Sequence, residues 1–155
     1  MVTNALGIIL QELGKSNLIP INDLVPDRNN SCLIGLPGGL KIQIEMDKSE
    51  LNLIVGCDLG EVPVGRYRTD IFREALRANS APYPVYGIFA FSTKTKHLVL
   101  HDHLRLSEYN GEKLAEHLKP FIEKAKIWMD AIKAGELPTN TPSQAPSLGS
   151  LFGFK

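Results

Sequence analysis

The sequence predicts an α+β fold in which three helices and five strands follow one another in the order α-βββ-α-ββ-α. Two observations support this order: three segments carry apolar residues at helical spacing, and two groups of short strand-like segments are joined by turn residues. A third observation is that the turns within each group of strands are too short for parallel crossovers. We therefore expect an antiparallel twisted sheet with helices packed on it, over residues 1–137. Residues 138–155 are rich in Pro, Ser and Thr and are expected to form a disordered tail.

The first helix is predicted over residues 3–14. Its apolar residues recur at spacings of three and four, which places them on one helical face: Ala5, Leu6, Ile9, Leu10 and Leu13. Thr3 or Asn4 can cap its N-terminus, and Gly14 is expected to end it.

The next three segments are predicted strands, over residues 31–36, 40–46 and 51–57. The middle strand alternates strictly, with Leu40, Ile42, Ile44 and Met46 on one face and Lys41, Gln43 and Glu45 on the other. The turn clusters PGG and DKSE separate the three strands. Because parallel pairing needs a long crossover, turns this short predict an antiparallel meander.

A second helix is predicted over residues 65–80, and a second hairpin over residues 86–91 and 97–104. The last helix, 110–135, has apolar residues at close to 3.6-residue spacing and contains Pro120, which we expect to kink it. A histidine beside its apolar stripe, at position 117, is expected to be structural.

Composition and charge exclude several classes of function. Lys plus Arg equals Asp plus Glu, at 17 each, so no overall field favours nucleic acid or an anionic membrane. No apolar run approaches the about 20 residues that span a bilayer. The arginines of the second helix alternate with acidic residues, as on a solvated face laced with ion pairs. Cys32 and Cys57 lie in separate apolar segments, which favours buried thiols in a reducing cytoplasm.

The segment HLVLHDHL of the second hairpin raises the question of a metal site. On a strand, His97, His101 and His103 share one face, and Asp102 points to the other. A zinc site needs at least three protein ligands, and this face offers a close pair. A half-exposed strand face is therefore favoured, and a metal-dependent enzyme using His101 and His103 is the weaker alternative. The rest of the sequence contains no catalytic constellation or cofactor motif, so we expect no enzyme activity, cofactor or metal.

The second helix has an apolar face for which the predicted domain offers no obvious packing partner. The first and third helices can cover one side of a five-stranded sheet. That leaves Tyr67, Ile71, Phe72 and Leu76 without an internal partner. Because small monomers rarely expose large apolar patches, this face favours self-association.

The element order and four segments resemble the class I type III secretion chaperones, the family of the CesT-like and SycE-like proteins. The segments are DRNNSCLI (27–34), KIQIEMD (41–47), YNGEKLAEHL (109–118) and KIWMDAIKAGELP (126–138). Within the family, the local match is closest to the SycE-like chaperone of chlamydiae. The resemblance covers roughly residues 5–138, and its motifs are structural rather than catalytic.

The resemblance implies a bacterial cytoplasmic dimer that binds the N-terminal segment of a secreted effector or gatekeeper protein in extended form. It keeps that segment soluble and delivers it to the export apparatus without using ATP. A homodimer and a heterodimer with a second small chaperone both remain open. A regulatory subunit that sequesters a transcription component through the same apolar faces is an alternative function.

The resemblance also implies two sets of site residues. The dimer interface is expected on the second helix and the adjacent strand, at Tyr67, Ile71, Phe72, Ala75, Leu76 and Ile88. The effector-binding groove is expected at Leu6, Ile9, Leu10, Leu13, Leu33, Ile42 and Ile44. A sheet edge can also accept a short effector strand.

The chain departs from the family in its charge. Such chaperones are commonly acidic, whereas this chain is neutral, with a sequence pI of about 6.9. Binding that relies on a negative surface is therefore in doubt for this chain. A neutral chain with an arginine-bearing second helix is instead suited to a more acidic partner chaperone.

Overall fold

Helices and strands follow the predicted order in the computed structural model, which describes residues 5–16 and 24–138. The helices and strands are α1 (Ala5–Lys15), β1 (Ser31–Gly35), β2 (Lys41–Met46), β3 (Asn52–Glu61), α2 (Arg66–Asn79), β4 (Ile88–Ser92), β5 (His97–Arg105) and α3 (Gly111–Ala134). A 3-10 turn (Leu106–Glu108) joins β5 to α3. The predicted α+β class and the α-βββ-α-ββ-α order are confirmed.

The five strands form one antiparallel sheet in the order β1-β2-β3-β5-β4. The meander of β1, β2 and β3 is as predicted, and the second hairpin joins it through β5. Because β5 lies between β3 and β4, the edges of the sheet are β1 and β4. The two edges are the places where another strand could add.

One face of the sheet carries the core, because alternate residues of each strand point to it. Its buried members are Cys32, Ile34, Ile42, Ile44, Met46, Leu53, Val55, Cys57, Leu59, Phe89, Leu98, Leu100 and Leu104. The apolar stripe of α1 packs against α3, and α3 packs against β3. Burial raises the pKa of the Cys57 thiol to about 12, which fits the prediction of buried thiols.

The long C-terminal helix α3 is anchored at both ends. Asn110 accepts a hydrogen bond from the Lys113 amide at 2.8 Å, and Gly135 ends the helix in the left-handed region at φ 69°. The helix continues through Pro120, and the kink predicted there stays a prediction. Across the described ranges 5–16 and 24–138, no helix is long and apolar enough to span a membrane.

Two boundaries differ from those predicted. The helix α1 continues past Gly14, which is buried within its last turn, because packing compensates the low helix propensity of glycine. Strand β3 runs four residues past Cys57, because the long strand β5 offers partners to Asp58 and Gly60 across a register shift. The proposed caps at positions 3 and 4 and the tail residues 139–155 lie outside the described residues.

Candidate protein-interaction surface

Helix α2 packs beside the edge strand β4 and the end of α3. Ile71 and Ala75 are buried there, and the Phe72 ring meets the Phe91 ring edge-on at 4.9 Å. The Tyr67 hydroxyl donates to the Glu136 carbonyl at 2.8 Å. The prediction that this helix has no surface left to cover is therefore wrong. Strand β4 and the C-terminal end of α3 supply a surface that the sequence pattern does not reveal.

The predicted dimer-interface residues divide by their burial. Ile71 and Ala75 lie inside the domain, whereas Tyr67, Phe72 and Ile88 are half-buried, and Leu76 is 70% exposed. The exposed side of α2 also carries the predicted ion pairs, Arg73 with Asp70 and Arg77 with Glu74. A partner could therefore reach Leu76 and the half-buried side chains without unfolding the domain.

Two exposed apolar residues flank α2, and the sequence reading did not single them out. Val64 lies just before the helix, and Tyr83, which is 95% exposed, lies just after it. Each stands next to a proline in a loop segment, where no periodic pattern marks it. Together with Leu76, they give α2 and its flanking loops exposed apolar surface.

The outer edge of β4 is closed at Phe89. The Asn79 side chain donates to the Phe89 carbonyl at 3.0 Å and accepts from the Phe89 amide at 2.8 Å. In this way Asn79 occupies the donor and the acceptor that an added strand would use. An asparagine at the end of a helix thus protects an edge strand from unwanted pairing.

A buried polar cluster holds the start of β4 against α3. The Asp102 carboxylate accepts from the Gly87 amide at 2.8 Å and contacts His117 Nε2 at 2.6 Å. Lys124 Nζ donates to the Gly87 carbonyl at 2.9 Å, and burial lowers the pKa of this lysine, an effect that Asp102 opposes. The cluster gives His117 the structural role that was predicted.

Among residues 5–16 and 24–138, no segment pairs with the opposite edge, β1, at Leu33, and the edge is open there. The Ser31 amide donates to the Asp27 carboxylate at 3.0 Å, and the Ser31 carbonyl accepts from the Asp27 amide at 2.7 Å. Because hydrogen bonding alternates along an antiparallel edge strand, the Leu33 backbone groups also point away from β2. The Leu33 side chain is 62% exposed. An extended peptide could pair here.

The predicted effector-binding residues are mostly in the core. Leu33 is exposed, and the other six are buried: Leu6, Ile9, Leu10, Leu13, Ile42 and Ile44. The apolar stripe of α1 is thus used for packing within the domain. Two exposed residues near this part of the chain were missed, Ile8 and Val25. Ile8 lies outside the helical stripe, so periodicity does not mark it.

The strand histidines lie on the face of the sheet opposite the core. The rings of His101 and His103 are 5.8 Å apart, and His97 contacts Asp58 at 2.7 Å. Asp102 points to the core face, as predicted. Within residues 5–16 and 24–138, no group of three or more His, Cys, Asp or Glu side chains is placed to hold a metal ion.

Comparison with known proteins places the chain among chaperones. The model of the Tir chaperone protein (CesT) family matches residues 9–129. No curated protein matches the sequence.

Several solved structures share the fold. A chain of the Yersinia pestis type III secretion chaperone SycH in complex with a stable fragment of YscM2 is similar, with a TM-score of 0.59 and 15% identity, over 78% of this chain and 97% of that chain. A chain of the HopA1-SchA chaperone-effector complex is similar with a TM-score of 0.63 and 13% identity, over 84% of this chain and 100% of that chain. A chain of the heterodimeric ExoU-SpcU complex of the Pseudomonas aeruginosa type III secretion system is similar with a TM-score of 0.60 and 17% identity, over 79% of this chain and 95% of that chain.

Proposed function

This chain belongs to the Tir chaperone protein (CesT) family, and from that membership we propose that it is a type III secretion chaperone. It binds the N-terminal segment of a secreted effector or gatekeeper protein, holds it in extended form, and delivers it to the export apparatus. The family match over residues 9–129 is the observation that carries this proposal. Because the family is one of chaperones, the function is binding rather than catalysis, and the strand histidines need no catalytic role.

The similar structures support the binding of a secreted polypeptide. The HopA1-SchA structure is a chaperone-effector complex, and the SycH structure contains a fragment of YscM2. A chaperone of this kind meets its cargo before export, so the bacterial cytoplasm is the expected location. The four segments quoted above further suggest a chlamydial SycE-like member.

The open edge at Leu33 is the proposed entry point for the cargo. An extended segment that adds to a sheet edge gains affinity from its main-chain hydrogen bonds and specificity from neighbouring side-chain contacts. The exposed Leu33 side chain offers such a contact. Of the predicted effector-binding set, this residue is accessible without a change in the domain. The six buried members support the site by holding α1 and the sheet in place.

The proposed dimer uses the exposed side of α2. Leu76 forms its centre, and Tyr67, Phe72 and Ile88 lose their remaining exposure against the partner. Ile71 and Ala75 are buried on the inner face of the helix and support the interface by holding α2 on the domain. The neutral charge of the chain suits either a second copy or a more acidic small chaperone.

Co-expression tests the proposal directly. The chain is produced with the first about 100 residues of candidate secreted proteins of its organism, a length able to bury roughly 1,000–3,000 Å² on coupled folding and binding. A soluble complex that elutes together is expected with at least one candidate. Failure to form a complex with any secreted protein contradicts the proposed function.

A matched pair of variants tests the edge. Leu33→Lys places a charge on the open edge, and the affinity for the cargo segment should fall by about tenfold, which corresponds to about 1.4 kcal/mol. Leu51→Lys changes an equally exposed leucine, at 66%, in the turn between β2 and β3, and should leave the affinity within about twofold. Equal effects of the two variants, measured by calorimetry, contradict the edge as the binding site.

A further inference from the structure

A cavity of about 310 Å³ opens beside the buried polar cluster. It lies where the loop before β4, the 3-10 turn after β5 and the first turns of α3 meet. Its lining residues are Tyr86, Glu108, Tyr109, Lys113, Glu116 and His117. The volume is at the lower end of the range of about 300–1,000 Å³ for ligand sites, and the cavity is largely open to solvent, which suits one side chain of a bound polypeptide.

Aromatic rings form the walls of this cavity. The Tyr86 ring centroid is 5.1 Å from that of His117, and the Tyr109 centroid is 5.8 Å from it, both in edge-on arrangements. The Tyr109 hydroxyl also contacts His117 Nδ1 at 3.5 Å. Because His117 is held by Asp102 on its other side, the imidazole and the two tyrosines form a preorganised unit.

The charges around the cavity favour a cation. Two carboxylates, Glu108 and Glu116, line it against one ammonium, Lys113. Behind the His117 ring, the Asp102 carboxylate is balanced by Lys124, whose Nζ donates to the Tyr86 carbonyl at 3.3 Å. The pKa of Tyr109 is raised, first by burial and then by the negative charge of Asp102, with a further contribution from Glu108. The net excess of negative charge at the lining comes from Glu108 and Glu116, which lie beside the aromatic wall.

We propose that this cavity binds the side chain of an arginine from a partner polypeptide. The guanidinium lies over a tyrosine face, to which it is attracted electrostatically, and its N–H groups donate to the carboxylates of Glu108 and Glu116. Arginine is favoured over lysine because a planar, weakly hydrated cation can stack and donate at once. The site goes beyond the proposed function, since it requires neither the dimer nor the β1 edge.

Nuclear magnetic resonance of the full chain tests this site with single amino acids as probes. Nα-acetyl-arginine amide should produce saturable shifts at the amides of Tyr86, Tyr109 and His117, with a Kd on the order of 1 mM. The citrulline analogue has a similar shape without the charge and should bind at least about tenfold more weakly. The lysine analogue should also bind more weakly.

Matched charge variants locate the site. Glu116→Gln should weaken binding of the arginine probe by about fivefold or more, because it removes a charge-assisted hydrogen bond. Glu112→Gln changes another exposed glutamate of α3 outside the cavity lining and should alter the Kd by less than about twofold. Unchanged dispersion of the spectra shows that both variants remain folded.

Three outcomes would overturn the proposal. They are the absence of saturable shifts up to solubility-limited concentrations of the arginine probe, binding of the citrulline or the lysine analogue equal to that of arginine, and equal effects of the two glutamate variants. Because each experiment uses the isolated chain and a small probe, its result is independent of cargo binding. A failed cargo complex and a failed arginine site are thereby distinguishable.

Discussion

At the residue scale, the contact between Asp102 and His117 joins three elements of the fold, β4, β5 and α3. No sequence pattern indicates this connection. It joins β5 to α3, and the same carboxylate receives the Gly87 amide at the start of β4. Both side chains are about 10% exposed, so neither can exchange this contact freely for water. The pair therefore positions the edge strand that faces α2.

Removal of His117 should destabilise the domain. His117→Ala leaves the buried Asp102 carboxylate without its ring partner and removes the imidazole that Tyr86 and Tyr109 pack against. We expect the free energy of unfolding to fall by about 2–4 kcal/mol, as measured by urea denaturation at neutral pH.

The exposed histidine of β5 provides the control for this change. His103→Ala should alter the free energy of unfolding by less than about 0.5 kcal/mol, because the residue is exposed on the face opposite the core. Similar losses from the two variants would contradict the structural role of His117.

At the element scale, α1 is attached to α3 through a close backbone approach. The Gly111 amide donates to the Glu12 carboxylate at 2.7 Å. A Cβ at position 111 would overlap the Cβ of Glu12 and lie 2.8 Å from the Leu13 amide nitrogen. Only glycine allows this contact, which sets the position of α1 against α3.

Gly111→Ala should therefore destabilise the protein. The added methyl group forces α1 and α3 apart, and we expect a loss of about 1–3 kcal/mol in the free energy of unfolding. A thermal denaturation series that includes Gly56→Ala supplies the comparison. At Gly56 a Cβ meets no atom within 4 Å, so that variant should be neutral or stabilised by up to about 1 kcal/mol. An equal loss from both variants would show that the close approach is unimportant.

The elements were predictable where periodicity is strong. Strand β2 alternates without exception, and α3 repeats its apolar residues over its whole length, so both were placed within a residue or two. The length of strand β3 was underestimated because Asp58 and Gly60 are residue types common in turns. Their pairing with β5 is a tertiary contact that the local sequence does not reveal. The surface that buries Ile71 is likewise created by other elements. No local pattern contains such information.

The candidate site was less predictable than the fold. An apolar stripe such as that of α1 has the same pattern whether it lines a groove or packs in a core. Leu6, Leu10 and Leu13 of this stripe were predicted to line a groove, and all three are fully buried. The openness of Leu33 depends on strand order, because an edge is defined by the strand that is absent beside it. These distinctions require the assembled sheet.

At the scale of the whole molecule, the two edges of the sheet differ. Edge β4 is closed at Phe89 by Asn79 and lies beside α2, whereas edge β1 is open at Leu33 in the part of the chain that the structure describes. The exposed apolar residues Val64, Leu76 and Tyr83 belong to α2 and its flanking loops. We infer that the two sides bind different partners. The α2 side associates with a second chaperone chain, and the β1 edge binds the cargo.

Amide exchange at Leu33 tests this account most directly. It is measured by nuclear magnetic resonance in the free chain and in its complex with the N-terminal segment of a secreted protein. The amide points away from β2 and should exchange rapidly in the free chain. In the complex, pairing with an extended cargo strand should slow its exchange by at least about tenfold. Equal exchange rates at Leu33 in the free chain and in a saturated complex would contradict the account.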